Sequence, residues 1–264
     1  MSPAGPSRPS PWVVIPRPNP GARLRLFCFP YAGGGASIYT PWARLLPPEV
    51  EVVGVQLPGR ENRIGETPIA DLRELIPRMA EALVPFMDRP FALFGHSNGA
   101  LMAFELTRLL RREGRTEPAL VVVSGRPAPQ AGLEPPDFHT LPDAEFHDVL
   151  RRFKATPDEV LQNEEIMQLI TPMLRADFAM GETYQYTPEP PLQTPLSAYG
   201  GRGDEDVPEW TVEAWGEQAA GGFRSVMFPG GHFFIHEDRD LVLAELTADL
   251  RRTLARLGAY PAHA

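Results

Sequence analysis

The sequence predicts an α/β fold in which a mostly parallel central sheet is flanked by helices. One observation is a series of short apolar runs closed by glycine or proline, which is typical of strands buried on both faces of a parallel sheet. Another is that helical patterns lie between most of these runs, and such alternation favours an open α/β sheet. The third is a stretch of roughly sixty residues without a convincing strand, much longer than an ordinary connection.

The individual elements follow from these patterns in chain order. Strands are predicted at residues 24–29, 50–57, 91–94, 120–123, 196–199 and 223–228. Helices are predicted between and after them at residues 71–87, 100–112, 209–219 and 240–257. Pro77 and Pro85 argue against one unbroken helix at 71–87, because proline inside a helix removes a backbone hydrogen bond. In the last helix, leucines recur on one face at helical spacing, which predicts packing against the sheet.

The same patterns divide the chain into three parts. Residues 2–20 hold seven prolines, so we expect residues 1–20 to form an extended, proline-rich N-terminal arm. Residues 21–125 and 192–258 are predicted to form the α/β core. Residues 126–191 show only helical patterns, at 143–153, 157–161 and 164–184, and are predicted to form a helical lid inserted into that core.

The composition excludes several classes of protein. The formal net charge of −9 over 264 residues gives no basic surface of the kind that binds nucleic acid. The chain lacks the 18-residue apolar run of a membrane span and the apolar core of a signal peptide, so we expect a cytoplasmic protein. A single cysteine, Cys28, excludes an internal disulfide and a cysteine-rich metal site, and we expect it to fill the core. We expect a monomer without a metal or an organic cofactor.

The sharpest chemical signal is Gly95-His96-Ser97-Asn98-Gly99, which fits the pattern G-x-S-x-G. An apolar strand precedes it and a helical pattern follows it, which is the context that a nucleophile at a sharp strand-to-helix turn requires. Glycines two residues on either side of Ser97 allow close approach of neighbouring backbone. The start of the helix offers the backbone amide of Asn98 to a developing oxyanion. We therefore predict Ser97 as a catalytic nucleophile.

A nucleophilic serine needs a base. His232 follows the strand 223–228 on a Pro-Gly-Gly turn, which places it at the carboxyl end of a strand, where sites in open α/β sheets collect. His236 is the local alternative. His139 and His147 belong to the helical insertion and are expected to face solvent. We therefore predict His232 as the base.

The orienting acid is expected between serine and histidine in chain order. Asp204 lies soon after the strand 196–199, one strand before the predicted base, and we predict it as the acid. Asp206 is the alternative, although it stands beside the next helix and better suits a capping role. A second oxyanion donor is expected from the glycine-rich loop at residues 29–35, which follows an earlier strand of the sheet.

With these residues placed, the sequence resembles the type II thioesterases that accompany polyketide synthases and non-ribosomal peptide synthetases, a family with the α/β-hydrolase fold. The resemblance covers approximately residues 11–250. It rests on the segments 26–34, 56–61, 95–100, 156–161, 174–178 and 228–234. Among them, the strings Pro-Gly-Arg-Glu and Pro-Gly-Gly-His-Phe-Phe are more specific than the G-x-S-x-G motif alone.

The resemblance implies a stand-alone enzyme that hydrolyses acyl thioesters from the phosphopantetheine arm of carrier proteins, in an editing role. It implies a catalytic triad of Ser97, Asp204 and His232, with the backbone amides of Ala32 and Asn98 as the oxyanion hole. It also implies that the helical insertion is a lid over an acyl chamber. The partner is then an acyl or peptidyl carrier protein domain, and the phosphopantetheine belongs to the substrate.

Two departures from the family pattern carry expectations of their own. Asn98 stands where the family more often has an apolar residue, so we expect a polar side chain at the chamber floor to alter the acyl preference. Phe153-Lys154-Ala155 replaces a glycine-rich approach to the next helix, which argues against a flexible lid there. Three alternative functions stay open at this point: a small-acyl esterase with the same triad, a chain-releasing thioesterase or acyltransferase, and a non-catalytic binding module.

Overall fold

A seven-stranded sheet organises the part of the chain that this computed structural model describes, residues 10–153 and 158–259. Its strands are β1 (Val13–Val14), β2 (Leu24–Phe29), β3 (Val50–Val55), β4 (Phe91–His96), β5 (Leu120–Ser124), β6 (Leu196–Gly201) and β7 (Phe223–Phe228). Their order is β1-β3-β2-β4-β5-β6-β7, and every pair is parallel except β1 with β3. The predicted fold class is therefore confirmed.

All six predicted runs form strands, but several strands end at other residues than expected. β3 ends at Val55 instead of residue 57, and the Gln56 side chain beyond it accepts a hydrogen bond from the Ala36 amide at 2.8 Å. β4, β5 and β6 run further than predicted, because pairing with a neighbour continues to their ends. Gly201, for example, pairs with Phe228 although glycine was expected to lie beyond the strand.

Both edges of the sheet differ from the expectation. β1 lies inside the predicted arm and pairs Val13 with Val55, so the division predicted at residue 20 does not coincide with the edge of the sheet. β7 forms the opposite edge, and only Phe228 of its six residues is buried. The prediction that this run is buried on both faces was therefore wrong, because an edge strand has a single neighbour and only partial cover.

The helices of the described residues are α1 (Trp42–Leu45), α2 (Leu72–Leu83), α3 (Asn98–Arg112), α4 (Asp143–Phe153), α5 (Asp158–Leu161), α6 (Glu164–Glu182), α7 (Glu209–Glu213), α8 (Phe234–Glu237) and α9 (Arg239–Ala259). The predicted helix 71–87 is α2 followed by a 3-10 helix, Val84–Phe86, which contains Pro85. The predicted helix 209–219 is α7 followed by the 3-10 helix Ala214–Gln218. Within the described ranges, no helix is both long enough and apolar enough to cross a bilayer.

Two apolar cores cover the two faces of the sheet, as the alternation of side chains along a strand requires. In β2, Phe27 and Phe29 belong to the core that is shared with α2 and α3. Leu26 and Cys28 belong to the opposite core, which is shared with α9. Cys28 is fully buried there, so its expected role as a core residue is confirmed.

The insertion after β5 contains α4, α5 and α6 and has an apolar cluster of its own. The cluster consists of Phe146, Leu150, Leu161, Met167, Met173 and Leu174. The predicted helices 143–153 and 164–184 correspond to α4 and α6, and α6 ends two residues earlier than predicted. α5 begins at Asp158, and residue 157 of the predicted helix lies outside the described residues, as do Lys154 and Ala155.

The sheet topology fixes the position of the site. β3 and β4 lie on opposite sides of β2, so the direction in which the chain adds strands reverses between β2 and β4. In open α/β sheets, the loops that leave the carboxyl ends of two such strands diverge and leave a crevice between them. Here those loops begin with Pro30 after β2 and with Ser97 after β4.

Candidate active site

Ser97 lies at the turn between β4 and α3, with φ 54° and ψ −116°, a region that side-chain-bearing residues rarely adopt. Hydrogen bonds hold this backbone in place, since the Ser97 amide donates to the Ser124 carbonyl at 2.7 Å. The flanking glycines are required by space. A Cβ atom on Gly95 would lie 1.9 Å from the Gly99 carbonyl oxygen, and one on Gly99 would lie 2.2 Å from the Phe29 carbonyl oxygen. The tight turn thus presents the Ser97 hydroxyl at the crevice.

The loops after β6 and β7 bring Asp204 and His232 together. His232 Nδ1 lies 2.6 Å from Asp204 Oδ2, and the Asp204 side chain is 1% exposed. A buried carboxylate at this distance favours a proton on Nδ1, so that Nε2 is left to accept a proton. Ser97 and His232 line the same cavity. No hydrogen bond links these two side chains in the described part of the chain, and contacts between a nucleophile and its base often tighten only in the complex with substrate.

The structure separates the favoured acid and base from their alternatives. Asp206 is exposed, and its contact with the pair is the hydrogen bond from its backbone amide to Asp204 Oδ1 at 3.1 Å. The prediction that Asp206 caps the next helix was wrong, because α7 begins after Pro208 and has no side-chain cap. His236 Nε2 lies 2.9 Å from the Tyr31 hydroxyl. The geometry therefore groups Asp204 with His232 and places His236 beside the loop that follows β2.

The two expected oxyanion donors lie on either side of the crevice. Ala32 follows β2, Asn98 is the first residue of α3, and both residues line the cavity with Ser97. Among the described residues, neither backbone N–H has a hydrogen-bond partner. Two unoccupied donors beside a serine are what stabilisation of a tetrahedral oxyanion requires.

The loop that carries Ala32 is fixed by two residues to which the sequence patterns assign no role, Arg60 and Asp177. The Gly33 amide donates to Asp177 Oδ2 at 2.7 Å, and Arg60 donates to the Gly34 carbonyl at 3.0 Å. Arg60 and Asp177 form a bidentate ion pair of their own. Both residues lie in segments that carried the family resemblance, 56–61 and 174–178. That resemblance was the only available signal, because 117 positions separate the two residues in sequence.

Asn98 lines the cavity, and its expected effect on the acyl preference stays a prediction; its side chain also makes contacts beyond the cavity. Its Nδ2 donates to the Asp177 carbonyl at 2.6 Å, and its Oδ1 lies 3.4 Å from Arg126 Nη1. It also excludes a side chain at Gly181, whose Cβ would lie 2.4 Å from Asn98 Oδ1. The amide group thus attaches α6 to the nucleophile turn.

His96 is a buried neighbour of the proposed base. Its ring centroid lies 5.2 Å from that of His232, and its Nδ1 lies 2.9 Å from Ser124 Oγ. Burial, together with nearby His232 and His236, holds the pKa of His96 well below its usual value. The His96 imidazole is therefore neutral around neutral pH, so it does not place a positive charge next to His232.

The two histidines of the insertion are half-buried, which corrects the expectation that they face solvent. His139 Nδ1 lies 2.6 Å from Glu182, and His147 Nε2 lies 3.4 Å from Thr171 Oγ1. Asp137, His139 and Glu182 also have the spacing of metal ligands, with their candidate atoms all within 4.8 Å of one another. Glu182 already accepts hydrogen bonds from the backbone amides of Phe138 and His139, so the group serves to anchor the start of the insertion to α6.

The cavity over Ser97 has a volume of about 550 Å³ and lies between the sheet and the insertion. Its apolar wall is formed largely by residues of the insertion, namely Phe138, Leu150, Phe153, Leu174 and Phe178. Arg126, Glu182 and Tyr184 add polar groups to this wall. A serine, a buried acid–histidine pair and two free amides beside a largely apolar chamber can carry out nucleophilic acyl transfer.

Comparison with known proteins agrees with this geometry. A family model described as thioesterase domain matches residues 24–250. The gramicidin S biosynthesis protein GrsT of Aneurinibacillus migulanus is 43% identical over 244 residues, which make up 92% of this chain and 95% of GrsT.

Two solved structures extend the similarity to three dimensions. The type II thioesterase BorB from the borrelidin biosynthetic cluster has a TM-score of 0.82 at 38% identity, with 90% of this chain and 96% of BorB covered. RedJ, a thioesterase from the prodiginine biosynthetic pathway in Streptomyces coelicolor, has a TM-score of 0.82 at 37% identity, with 94% of this chain and 96% of RedJ covered. The similarity therefore extends over both the sheet and the helical insertion.

Proposed function

The chain belongs to the thioesterase family, and from this membership we propose that it hydrolyses acyl thioesters held on the phosphopantetheine arm of carrier proteins. The similar proteins carry names that refer to the biosynthesis of gramicidin S, borrelidin and prodiginine. We therefore assign this chain an editing role beside a polyketide synthase or a non-ribosomal peptide synthetase, as a stand-alone type II thioesterase. Its partner is an acyl or peptidyl carrier protein domain.

One observation carries the catalytic part of this proposal. The 2.6 Å contact between His232 Nδ1 and Asp204 lies beside the strained Ser97 turn, and Ser97 and His232 line one chamber with Ala32 and Asn98. Each residue type that acyl transfer needs is thus present on a rigid element or a fixed loop. The combination supports a triad with an oxyanion hole better than it supports a binding module, which has no use for a strained serine.

The first half of the reaction forms an acyl-enzyme. His232 Nε2 takes the proton from Ser97 Oγ as this oxygen attacks the thioester carbonyl carbon. The electron pair of the carbonyl moves onto its oxygen, which the amides of Ala32 and Asn98 stabilise. When the tetrahedral intermediate collapses, the carbon–sulfur bond breaks and the pantetheine thiolate takes up the proton from the His232 imidazolium. Asp204 stays ionised and holds the imidazole in the required tautomer.

The second half releases the acid. His232 takes a proton from a water molecule as the water oxygen attacks the acyl-serine carbonyl. The same two amides stabilise the second oxyanion, and collapse returns a proton to Ser97 Oγ and frees the carboxylic acid. A thiol leaves with less need for protonation than an alcohol or an amine, so this arrangement suits thioesters well.

The proposal is tested with acyl groups loaded on a carrier protein and with an oxygen ester of the same acyl chain. Mass spectrometry of the carrier after exposure to the enzyme follows loss of the acyl mass. We expect the enzyme to unload the carrier and the Ser97→Ala variant to leave it loaded. Hydrolysis confined to the oxygen ester would favour a small-acyl esterase. Transfer of the acyl group to an added amine or alcohol, without release of the acid, would favour a chain-releasing acyltransferase.

The proposal also covers the location, the oligomeric state and the cofactor requirement of the protein. We propose a cytoplasmic monomer that needs no metal or organic cofactor of its own. Light scattering during size-exclusion chromatography tests the monomer. Activity retained after dialysis against a chelator supports hydrolysis without a metal, and loss that added metal restores would contradict it.

A further inference from the structure

Arg126 is the second residue after β5 and lines the acyl chamber beside the nucleophile turn. Its Nη2 donates to the Gly181 carbonyl at 2.7 Å, and its Nη1 lies 3.4 Å from Asn98 Oδ1. Both of these acceptors are neutral. A guanidinium has five N–H donors, so most of the donor capacity of Arg126 is not used by these two contacts.

Arg126 also lacks a close ion-pair partner in the described part of the chain, although the nearby Glu182 carboxylate favours its charged form. Within the described residues, no carboxylate lies within 4.0 Å of its guanidinium, whereas the buried Arg25, Arg60 and Arg108 each have such a partner. Glu182 lines the same chamber, but its carboxylate is occupied by His139 and by two backbone amides. Burial lowers the pKa of Arg126 to about 10, so the side chain is still a cation at neutral pH.

Arg126 is half-buried at the wall of a partly open cavity, and covering its guanidinium with a bound acyl chain is costly unless an acceptor reaches it. An unsubstituted alkyl chain bound there would displace water and leave the remaining N–H donors of the guanidinium without an acceptor. An oxygen atom on the acyl group would instead accept a charge-assisted hydrogen bond, which is roughly twice as strong as a neutral one. The apolar side chains that the insertion contributes to the chamber wall can hold the carbon chain.

We propose that Arg126 determines specificity by binding an oxygen acceptor on the acyl group, either a carboxylate or a carbonyl. This inference rests on the proposed thioesterase function and narrows its substrate class to acyl thioesters with a polar oxygen on the chain. The competing explanation is that Arg126 only tethers α6 to the nucleophile turn through Gly181 and Asn98. The two explanations differ in whether the effect of Arg126 depends on the acyl group.

The test uses one carrier protein loaded with hexanoyl, 3-oxohexanoyl or adipoyl groups, which share six carbons and differ in oxygen content. For each substrate we measure kcat/KM of the wild-type enzyme and of Arg126→Met and Arg126→Lys. We expect Arg126→Met to lower kcat/KM for an oxygen-bearing substrate relative to hexanoyl by about tenfold to a hundredfold. Arg126→Lys keeps the charge and is expected to retain part of this preference. If only the 3-oxohexanoyl substrate loses its advantage over hexanoyl in Arg126→Met, the acceptor is a carbonyl. If only the adipoyl substrate does, the acceptor is a carboxylate.

Arg175→Met is the matched control, because Arg175 also ties parts of the insertion together but does not line the chamber. Its side chain donates to the His139 carbonyl and pairs with Asp143. We expect this variant to keep the wild-type substrate ratios. Equal loss on all three substrates in Arg126→Met, with the ratios unchanged, would identify Arg126 as a tether only and overturn the proposal.

A binding measurement keeps this inference separate from the proposed hydrolysis. Hexanoyl and adipoyl amides of pantetheine cannot be hydrolysed as thioesters, and their dissociation constants are measured with Ser97→Ala in the presence and absence of Arg126→Met. The 3-oxohexanoyl amide of pantetheine is measured in the same way. If an oxygen-bearing amide binds more tightly than the hexanoyl amide, and this difference disappears with Arg126→Met, the subsite is supported whatever the enzyme hydrolyses. Equal affinity for all three amides with Arg126 present would contradict it. Failure of the wild-type enzyme to unload any carrier would instead contradict the proposed function.

Discussion

Asp177 on α6 and Arg60 in the loop after β3 form a bidentate ion pair in which both nitrogen–oxygen distances are 2.8 Å. Both side chains are almost fully buried, at 3% and 4% exposure. The same carboxylate accepts the Gly33 amide, and the same guanidinium donates to the Gly34 carbonyl. The ion pair therefore connects the helical insertion to the loop that carries the proposed oxyanion donor Ala32.

Replacing Asp177 by asparagine is expected to weaken both stability and catalysis. The variant leaves the Arg60 guanidinium buried without a countercharge, which typically costs about 3–5 kcal/mol of unfolding free energy. It also loosens the Gly33 contact, and we expect kcat to fall by up to about 10²-fold as the Ala32 amide loses its position. Urea unfolding and steady-state kinetics measure the two effects. Asp143→Asn, which removes an exposed ion pair with Arg175, is the control and should change neither.

Replacing Ser97 by glycine is expected to stabilise the protein while it abolishes activity. The φ of 54° and ψ of −116° are unfavourable for serine and accessible to glycine, which relieves strain of about 1–3 kcal/mol. Part of this gain is lost, because glycine has more conformational freedom in the unfolded chain. Ser97→Ala is the matched control, since it removes the same hydroxyl and keeps the strain. Equal unfolding free energies for the two variants would show that the turn is not strained.

The assignment of the acid predicts a ranking of two neighbouring aspartates. Asp204→Asn removes the carboxylate that contacts His232 Nδ1, and we expect kcat to fall by about 10⁴-fold because the imidazole tautomer is no longer fixed. Asp206→Asn keeps the backbone amide that reaches Asp204, and we expect it to retain most of the activity. Hydrolysis of an acyl-loaded carrier protein measures both. The reverse order would move the role of acid to Asp206.

Stability is expected to fall on acidification because of His96. Burial depresses the pKa of this side chain in the folded protein below its value in the unfolded chain, so the unfolded state binds the extra proton first as the pH falls. The stability that the neutral His96 side chain contributes is fully present above about pH 6.5. Below that pH, the free energy of unfolding falls by up to about 1.4 kcal/mol per pH unit. Urea unfolding between pH 7.5 and pH 5 measures it. We expect His96→Asn to show a shallower dependence, and identical slopes would assign the effect to other groups.

Local patterns were sufficient for the central strands and for the proposed nucleophile. β2, β4 and β5 are short apolar runs because they are covered on both faces, and that burial is visible in the residues themselves. The Ser97 turn was predictable because a side chain at either flanking glycine would clash with nearby backbone, and all the residues of the motif lie within five positions of the chain. β1 was missed because a two-residue strand in a proline-rich segment has no pattern of its own and exists through its pairing with β3.

The choice of Asp204 over Asp206 shows how far sequence reasoning extended into the site. Chain order and distance from the strand end favoured Asp204, but two residues of loop could have placed either carboxylate against His232. The fold of the loop after β6, where Gly203 donates its amide to the Gly230 carbonyl, brings the loops after β6 and β7 side by side. Asp204 is buried in this arrangement and Asp206 is exposed.

The sequence by itself determined the α/β fold, the helical insertion and the turn that carries Ser97, because each depends on side chains close together in the chain. Only the tertiary structure decided how the insertion meets the site. The contacts of Asp177 with Arg60 and Gly33, and of Arg126 with Gly181 and Asn98, join positions 28 to 144 residues apart. Such contacts leave no local periodicity, since they are set by where the sheet topology places the ends of distant elements.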